Sequence, residues 1–277
     1  MPLLEVRDLQ KWYGRRQVVK GVDFDVEPGE IVGLLGPNGA GKTTSFRMTI
    51  GLIDADKGKV SFLGEDVSKL PMYRRARAGM GYLPQDASVF KQLSVEDNLM
   101  AILQTRPGLD RRARKRRQDE LLAQFGLEHV RRTKANRVSG GERRRVEIAR
   151  CLVSDPKLIM LDEPFAAIDP ITVDEIQDVI RDLARVHGLG ILLTDHSVER
   201  VLEVSDRSYL IHEGRVFASG DRDSILNNAD ARRHYLGDRF DPAHLTDRNR
   251  RHSLGHVEPA AEHVTIEQVD DDEPGDI

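Results

Sequence analysis

The sequence predicts an α/β protein, and three observations lead to this fold class. A glycine-rich loop at 36–43 follows a short apolar run at 30–35 and precedes a segment that can form a helix. Two later apolar runs, at 157–161 and 190–194, have the length of buried strands, and each is followed by an acidic residue. Helix-forming sequence separates these runs, so strands and helices alternate along the chain.

The glycine-rich loop has the form of the phosphate-binding P-loop, G-x-x-x-x-G-K-[ST]. The first N–H groups of a helix have no intrahelical partner and point outward at the positive end of its dipole, so they bind anions. Lys42 adds a charge at the β- and γ-phosphates, and the Thr43 hydroxyl can ligate magnesium. The plain alternative is a glycine-rich turn with a chance lysine, and the strand-loop-helix order argues against it. The predicted binding residues of this loop are Gly36, Pro37, Asn38, Gly39, Ala40, Gly41, Lys42, Thr43 and Thr44.

Composition limits the classes of function. The 277 residues could form one large α/β domain or two small ones, and 39% hydrophobic with 32% charged residues is ordinary for a soluble protein. No apolar run approaches the roughly 18 residues needed to cross a bilayer, and the N-terminus lacks a signal-peptide pattern. We therefore expect no direct membrane insertion. The single cysteine, Cys151, excludes an intramolecular disulfide, fits a reducing cytosol and is expected to be a small buried residue.

The charge is distributed unevenly along the chain. The formal net charge is −4, but residues 241–277 carry ten Asp and Glu against three Arg, which leaves the rest mildly basic. This balance lacks the strong basic footprint of sequence-specific nucleic-acid binding. Beyond about residue 240 the apolar periodicity stops, which predicts an acidic, disordered tail. Its histidines could chelate a metal, but their irregular spacing argues against it: His244, His252, His256 and His263.

Strand patterns also occur at both ends of the folded region. Residues 3–8 and 16–27 alternate in the manner of strands, and 208–218 predicts a hairpin followed by short helices to Leu236. Tyr13 lies between the first two strands. An aromatic side chain at a strand end can stack on an adenine ring or simply pack against its neighbours, and the spacing leaves both interpretations open.

The middle of the chain is helix-forming and highly charged. Gln85 directly follows a strand that stops at Pro84, and Ser94 is a plausible N-cap of the first helix. A basic run at 111–117 opens a second helix, for which we favour a solvated face over contact with an anionic surface. A third helix is predicted from Arg143 to Val153. The segment Ser139-Gly140-Gly141-Glu142 precedes it and forms another helix N-terminus able to receive phosphate oxygens.

Acidic residues follow the two buried strands of the second half. In an open α/β sheet the carboxyl ends of the strands face the ligand crevice, the same edge as the P-loop. Asp162 can hold magnesium there, while Glu163 can accept a proton from a water molecule. His196 comes after the next strand and is a candidate for contacting a γ-phosphate. Asp169 caps a helix of about 17 residues that begins with proline.

Taken in this order, the motifs resemble those of the ATPase subunits of ABC transporters, over residues 3 to about 237. The family's motifs are the Walker A loop, the Q-loop at Gln85, the signature motif Ser139-Gly140-Gly141-Glu142, Walker B at Leu161-Asp162-Glu163, the D-loop at Ala167-Ile168-Asp169 and the switch histidine His196. The resemblance implies a P-loop NTPase fold of ABC type: a mixed-sheet core, a helical subdomain at about 86–156 and an N-terminal antiparallel β subdomain. It implies one ATP-binding domain over 1–240, followed by the tail at 241–277.

The same resemblance implies roles for individual residues, with ATP and Mg²⁺ as cofactors. In ATP binding, Tyr13 would stack on adenine and the P-loop with Lys42 would hold the phosphates. Magnesium would be organised by Thr43, Gln85 and Asp162. Glu163 would polarise the attacking water, and His196 would bind the γ-phosphate. Across a homodimer, Asp169 would contact the opposite subunit, and the ATP of that subunit would be covered by Ser139, Gly140 and Gly141. These roles are positioning and charge stabilisation.

The sequence departs from the family pattern at two signature positions and in the tail. Val138 stands where the family usually has Leu, and Glu142 where Gln is commoner. Neither change affects the serine and glycines that meet phosphate, so we expect activity to survive. The resemblance implies nothing about the acidic tail.

Three longer segments, at 79–90, 140–150 and 162–171, are similar to the branch of the family that powers lipopolysaccharide export. This similarity implies a homodimer on the cytoplasmic face of a Gram-negative inner membrane. Two integral-membrane transporter subunits would dock near Gln85–Phe90 and extract lipopolysaccharide.

Two alternatives remain at this point. One is the ATPase of a branched-chain amino-acid importer, because ATPase motifs do not encode cargo. The other is a soluble ABC protein that acts on ribosomes or DNA. Such proteins generally carry two nucleotide domains or a coiled-coil insertion, whereas this chain has one set of motifs and no sustained heptad run. We therefore expect no nucleic-acid partner.

Overall fold

Two β-sheets carry the P-loop and the acidic strand ends. The computed structural model describes residues 1–166 and 168–236, apart from the side chain of residue 234. The strands in this part are β1 (Leu4–Tyr13), β2 (Arg16–Val26), β3 (Ile31–Leu35), β4 (Lys57–Phe62), β5 (Glu65–Asp66), β6 (Met80–Leu83), β7 (Leu158–Asp162), β8 (Gly190–Thr194), β9 (Arg207–His212) and β10 (Arg215–Gly220). The helices are α1 (Lys42–Ile50), α2 (Met72–Ala78), α3 (Val95–Leu103), α4 (Arg111–Gln124), α5 (Gly140–Leu152), α6 (Pro170–Arg185), α7 (Val198–Val204), α8 (Arg222–Asn227) and α9 (Ala229–Ala231), with a 3₁₀ turn at Glu128–Val130 and a π-helical turn at Arg232–Leu236.

The larger sheet is mixed and has the strand order β10-β9-β3-β8-β7-β6. Its strands β9, β3, β8, β7 and β6 pair in parallel, and β10 pairs with β9 antiparallel. This arrangement confirms the predicted α/β class, the mixed sheet and the hairpin at 208–218. Since the carboxyl ends of parallel strands share one edge, the segments after β3, β7 and β8 meet there.

The smaller sheet is antiparallel and has the order β2-β1-β4-β5, as expected for the N-terminal part. Strand β1 continues to Tyr13, five residues beyond the predicted end at residue 8. The strand passes residue 8 through register shifts between Val6 and Gln10. Asp8 has a φ of 49°, and its N–H donates to Asp23 Oδ1 at 2.9 Å. The bulge absorbs the irregularity, so pairing resumes on its far side.

Helices α3, α4 and α5 lie between β6 and β7 in the chain and form the helical segment. Ser94 caps α3 by accepting from the N–H of Asp97, and α4 begins at Arg111, both as predicted. Helix α5 begins at Gly140, three residues before the predicted start. The reason is a capping box, in which the Ser139 hydroxyl accepts from the N–H of Glu142.

Helix α1 is fixed to the core directly behind the P-loop. Its Phe46, Met48 and Ile50 are buried in a hydrophobic cluster that contains residues of both sheets. Full burial of one such side chain stabilises the fold by about 1.5–3 kcal/mol relative to exposure. The packing therefore holds the N-terminus of α1 in one place at the edge of the sheet.

Three further expectations concern Cys151, membrane-spanning helices and the C-terminal tail. Cys151 is half-buried rather than buried, and its thiol donates to the carbonyl of Tyr82 at 3.3 Å. No helix among the described residues has the length and apolar character needed to cross a bilayer. The boundary near residue 240 and the acidic tail with its four histidines lie outside the described residues and stay predictions.

Candidate functional site

The P-loop passes so close to other backbone segments that side chains would not fit. Gly36 has a φ of 146°, and a Cβ there would lie 2.1 Å from the carbonyl oxygen of Ile211. Gly41 has a φ of 106°, and a Cβ there would lie 3.1 Å from the carbonyl oxygen of Val18. Both positions need glycine because of their positive φ and the close approach. The loop is thereby held against β9 and β2, with its amides at the start of α1.

Lys42 lies folded into the loop. Its Nζ donates to the carbonyl oxygens of Gly36 and Pro37, at 2.5 and 3.1 Å. The side chain is buried, which lowers the pKa of its ammonium group, and the charge of Glu163 partly offsets this. The ammonium group is thus held against the backbone of the loop.

An open cleft of about 130 Å³ lies over the loop and brings the predicted groups together. It is lined by Val18, Asn38, Gly39, Ala40, Gly41, Lys42, Thr43, Thr44, Glu163 and His196. A second cleft of about 260 Å³ shares Val18 and residues 38–40 with the first. Its wall also carries two basic residues that were not predicted, Arg16 and Lys20, because residues of an alternating strand carry no motif.

Glu163 lies between two predicted catalytic side chains. Gln85 donates from Nε2 to Glu163 Oε2 at 2.6 Å, and His196 Nε2 lies 2.7 Å from Glu163 Oε1. The backbone of Glu163 has a φ of 49°, a conformation uncommon outside glycine. The N–H of Glu163 donates to the carbonyl of Thr194 at 2.8 Å, which fixes this turn at the end of β7. The carboxylate is therefore held on both sides above the P-loop.

Burial raises the pKa of Glu163 above its usual value. The charges of Asp162 and Asp195 raise it further, while those of His196 and Lys42 act in the opposite direction. A carboxylate whose pKa is raised holds a proton more readily, as a general base for water requires. The environment of Glu163 therefore supports the predicted role in proton transfer.

Asp162 is fixed by the neighbouring strand. Burial raises its pKa, and the charge of Arg47 and a hydrogen bond from the Tyr82 hydroxyl offset part of this. Burial and the Asp162 charge raise the pKa of Tyr82 to about 12, so the phenol remains protonated and donates. Within residues 1–166 and 168–236, no group of three or more His, Cys, Asp and Glu could hold a metal ion. A magnesium ion here would therefore also need phosphate oxygens, as is usual for Mg²⁺ at nucleotides.

The signature residues lie on a different surface of the chain. Ser139 and Gly140 are exposed at the N-terminus of α5, and neither lines the cleft over the P-loop. Gly141 packs against Thr172 at the start of α6, where a Cβ would lie 2.4 Å from a Thr172 methyl group. Asp169 caps α6 by accepting from the N–H and hydroxyl of Thr172 at 3.0 and 2.6 Å. The structure thus brings the signature and Asp169 together, apart from the P-loop of their own chain.

Two further predicted positions can be described only in part. Tyr13 is 53% exposed, with Lys11 Nζ 5.9 Å from its ring centroid, so most of the ring is accessible for stacking. Ala167, the first D-loop residue, lies outside the described residues. The role of Tyr13 in adenine binding stays a prediction.

Sequence reasoning missed Arg144, which connects α5 to both catalytic segments. The guanidinium is buried and donates to the carbonyls of Pro84 at 3.2 Å, Pro164 at 3.2 Å and Glu163 at 3.4 Å. It also pairs with Glu147 at 3.0 Å. Its spacing could have indicated that it is buried, because Arg144 is four residues before the buried Ile148 and so lies on the same helix face.

The chain is similar to proteins of one family. The model of that family, described as ABC transporter, matches residues 19–166. The lipopolysaccharide export system ATP-binding protein LptB of Haemophilus influenzae is 49% identical over 87% of this chain and 99% of its own length, and that of Escherichia coli is 50% identical over the same shares. A probable ABC transporter ATP-binding protein of Azorhizobium caulinodans is 54% identical over 84% of this chain and 82% of its own.

Solved structures show the same architecture. An ATP-binding cassette of an ABC transporter in its ADP conformation superposes with a TM-score of 0.76 at 26% identity, over 86% of this chain and all of the other. A dimeric bacterial ABC transporter cassette superposes with a TM-score of 0.69 at 24% identity, over 79% of this chain and 98% of the other. These similarities agree with the expected fold.

Proposed function

Since the chain belongs to the family of ABC transporter ATP-binding proteins, we propose that it is the ATP-hydrolysing motor of a lipopolysaccharide export transporter. The predicted P-loop fold of ABC type is confirmed, and the chain is an ATPase of that type. One observation carries the catalytic part of this function. The carboxylate of Glu163, whose pKa is raised, is held by Gln85 and His196 in the wall of the P-loop cleft.

Hydrolysis can be assigned to these groups step by step. The P-loop amides and Lys42 hold the β- and γ-phosphates, and the His196 imidazole contacts the γ-phosphate. Glu163 accepts a proton from a water molecule as its oxygen attacks the γ-phosphorus. The bond from that phosphorus to the β–γ bridging oxygen breaks, and the electron pair leaves with ADP. Inorganic phosphate is the second product.

The donors beside the P-loop also suit a magnesium ion. Thr43 offers a hydroxyl, Asp162 a carboxylate and Gln85 an amide oxygen, all oxygen ligands of the type that Mg²⁺ prefers. Gln85 uses its amide nitrogen toward Glu163, which leaves its oxygen for the ion. When bound, the ion offsets the charge of the phosphates. The three side chains would hold it beside the P-loop.

The separation of the two surfaces supports a homodimer. Ser139, Gly140, Gly141 and Asp169 are outside the cleft of their own chain. We infer that Ser139, Gly140 and Gly141 close over ATP bound to the P-loop of a second copy, while Asp169 contacts that second subunit. Two ATP molecules are then sandwiched between two protomers. The similar fold of a dimeric bacterial cassette supports this arrangement.

The names of the relatives support the proposed cargo, and exposed apolar side chains support the proposed docking site for the membrane subunits. Proteins named for lipopolysaccharide export are 49–51% identical over 86–87% of this chain and 98–99% of their own length. Phe90 and Leu93, which follow Gln85 by five and eight residues, are 46% and 38% exposed. We propose that two integral-membrane subunits bind there and hold the dimer peripherally at the cytoplasmic face of the inner membrane.

Co-purification from membranes tests the proposal. The tagged chain, solubilised in mild detergent, should recover the two membrane subunits of lipopolysaccharide export, and ATPase activity should accompany them. Recovery of amino-acid permease subunits would overturn the cargo while leaving the ATPase. A Glu163→Gln variant provides an inactive control for the activity.

A further inference from the structure

A hydrogen-bonded chain of three residues ends at the signature serine. Ser139 and Glu142 form the capping box of α5: the Ser139 hydroxyl accepts from the N–H of Glu142 at 3.2 Å, and Glu142 Oε2 accepts from the N–H of Ser139 at 2.8 Å. The other carboxylate oxygen, Oε1, lies 2.9 Å from Nε2 of His129. A carboxylate can only accept, so the imidazole donates.

The capping box decides which donors remain for an anionic ligand. The N–H groups of Ser139 and Glu142 are already used. The amides of Gly140 and Gly141, in the first turn of α5, have no intrahelical acceptor. The Ser139 hydroxyl accepts one bond and keeps its own proton to donate. The geometry thus leaves one hydroxyl and two amides aligned at the positive end of the helix.

Glu142 also brings a negative charge to this helix end. Burial alone would raise its pKa, but the hydrogen bonds from Ser139 and from His129 outweigh burial and lower the pKa, so the group is ionised. A negative charge in the first turn interacts favourably with the helix dipole, but it repels a second anion that binds there. His129 is the described side chain that donates to the carboxylate oxygen facing away from Ser139.

The backbone holds His129 at this position. The histidine lies in the 3₁₀ turn after α4, two residues after the fully buried Leu127. After the turn, the N–H of Ala135 donates to the carbonyl of Leu93 at 2.9 Å, and the N–H of Val95 to the carbonyl of Thr133 at 2.9 Å. The imidazole therefore projects from a segment tied both to the helical core and to the proposed docking segment.

We propose that His129 is a positioning residue of the signature motif. It holds the Glu142 carboxylate in the capping box by donating to Oε1, and thereby keeps Ser139 and the glycine amides ready for the γ-phosphate bound by the other protomer. This role rests on the proposed ATP-sandwiched homodimer. His129 itself touches no nucleotide, so its loss should weaken dimer closure and leave binding of ATP to the monomer unchanged.

The test uses the full chain carrying Glu163→Gln, in which ATP should drive dimer formation without hydrolysis. Light scattering at fixed protein concentration gives the ATP concentration for half-maximal dimer. A hydrogen bond from a side chain that is 62% exposed is worth about threefold per site. A dimer contains two such sites and binds two ATP molecules, so the roughly ninefold loss in the dimerisation constant should raise that ATP concentration about threefold in His129→Ala. His129→Gln, whose amide can donate at similar reach, should lie near the parent.

A matched control and a second background separate positioning from damage. His187 is another exposed histidine that contacts a glutamine and a carboxylate, Gln124 at 2.9 Å and Asp182 at 3.6 Å, so His187→Ala should leave the dimer unchanged. In a Glu142→Ala background, His129→Ala should add no further shift. Binding of a fluorescent ATP analogue to dilute monomer should be equal in all variants.

Three results would overturn the role of His129. They are a His129→Ala variant that dimerises like its parent, an equal shift in the Glu142→Ala background, or a parallel loss of analogue binding by the monomer. A parent that forms no ATP-dependent dimer would instead refute the proposed homodimer, and the positioning role with it. The parent titration therefore tells the two failures apart.

Discussion

Replacing Arg144 by methionine should destabilise the whole protein and not only its catalysis. The guanidinium and the Glu147 carboxylate are 7% and 3% exposed, and they pair at 3.0 Å. Removing one partner of a buried pair leaves an uncompensated charge and costs about 3–5 kcal/mol. Arg144 also donates to three backbone carbonyls, of which those of Glu163 and Pro164 belong to the catalytic turn. Loss of several donors at about 1 kcal/mol each is of the same order, so we expect a decrease of about 4 kcal/mol in unfolding free energy.

Urea unfolding without nucleotide measures this loss, and the next residue supplies the control. Arg145 is on the same helix and pairs with Glu175 at 3.5 Å, but these side chains are 24% and 51% exposed. Arg145→Met should therefore cost less than about 1 kcal/mol. The double variant Arg144→Met/Glu147→Gln removes the stranded charge and should be more stable than Arg144→Met alone. Two results would refute the argument from the buried pair. One is an equal loss of unfolding free energy in Arg144→Met and Arg145→Met, and the other is a double variant no more stable than Arg144→Met.

Three further predictions concern the nucleotide site. Glu163→Gln should lower the hydrolysis rate by about 10²–10⁴, the usual contribution of a general base, while ATP binding persists; near-normal turnover would remove Glu163 from that role. Because the pKa of Glu163 is raised in the folded state, its stabilising contribution is complete below the unfolded pKa and is lost as pH rises through the folded pKa. The same Gln variant should therefore melt at a higher temperature than the wild type near pH 7.5, and the gap should close toward pH 4; a gap independent of pH would contradict this. Tyr13→Ala should weaken ATP binding about tenfold by loss of ring stacking and leave inorganic triphosphate binding unchanged, whereas Tyr13→Phe should bind both normally, as competition with a fluorescent analogue would show.

The location of the catalytic groups could be predicted because it depends on short-range rules. Lys42, Glu163 and His196 each follow a strand of apolar sequence, and parallel strands end at one edge of a sheet. Chain order and periodicity were enough to place them together. Helix ends with a polar cap, such as Ser94 and Asp169, were predictable for a similarly local reason.

The groups that hold this site in place depend on contacts distant in sequence. Arg144 reaches Pro84, 60 residues away, and nothing in an arginine-rich helix marks which arginine turns inward except its register with the buried face. The start of α5 could have been predicted, because Ser139 and Glu142 have the spacing of a capping box. The low helix propensity of the two glycines between them argued instead for a later start. The capping box outweighs that propensity and starts the helix at Gly140.

Helix α5 explains how the proposed docking site and the signature can act as one unit. Its N-terminus carries Ser139, while Arg144 in its second turn is bonded to Pro84 and to the catalytic turn. Farther along, Arg150 donates to the carbonyl of Ser88 and lies 4.6 Å over the ring of Phe90. A helix is stiff over 13 residues, so a displacement of the segment around Phe90 by a membrane subunit would move the signature as well. Linkage makes this coupling equal in both directions: if ATP-driven closure strengthens subunit binding, subunit binding strengthens closure by the same factor.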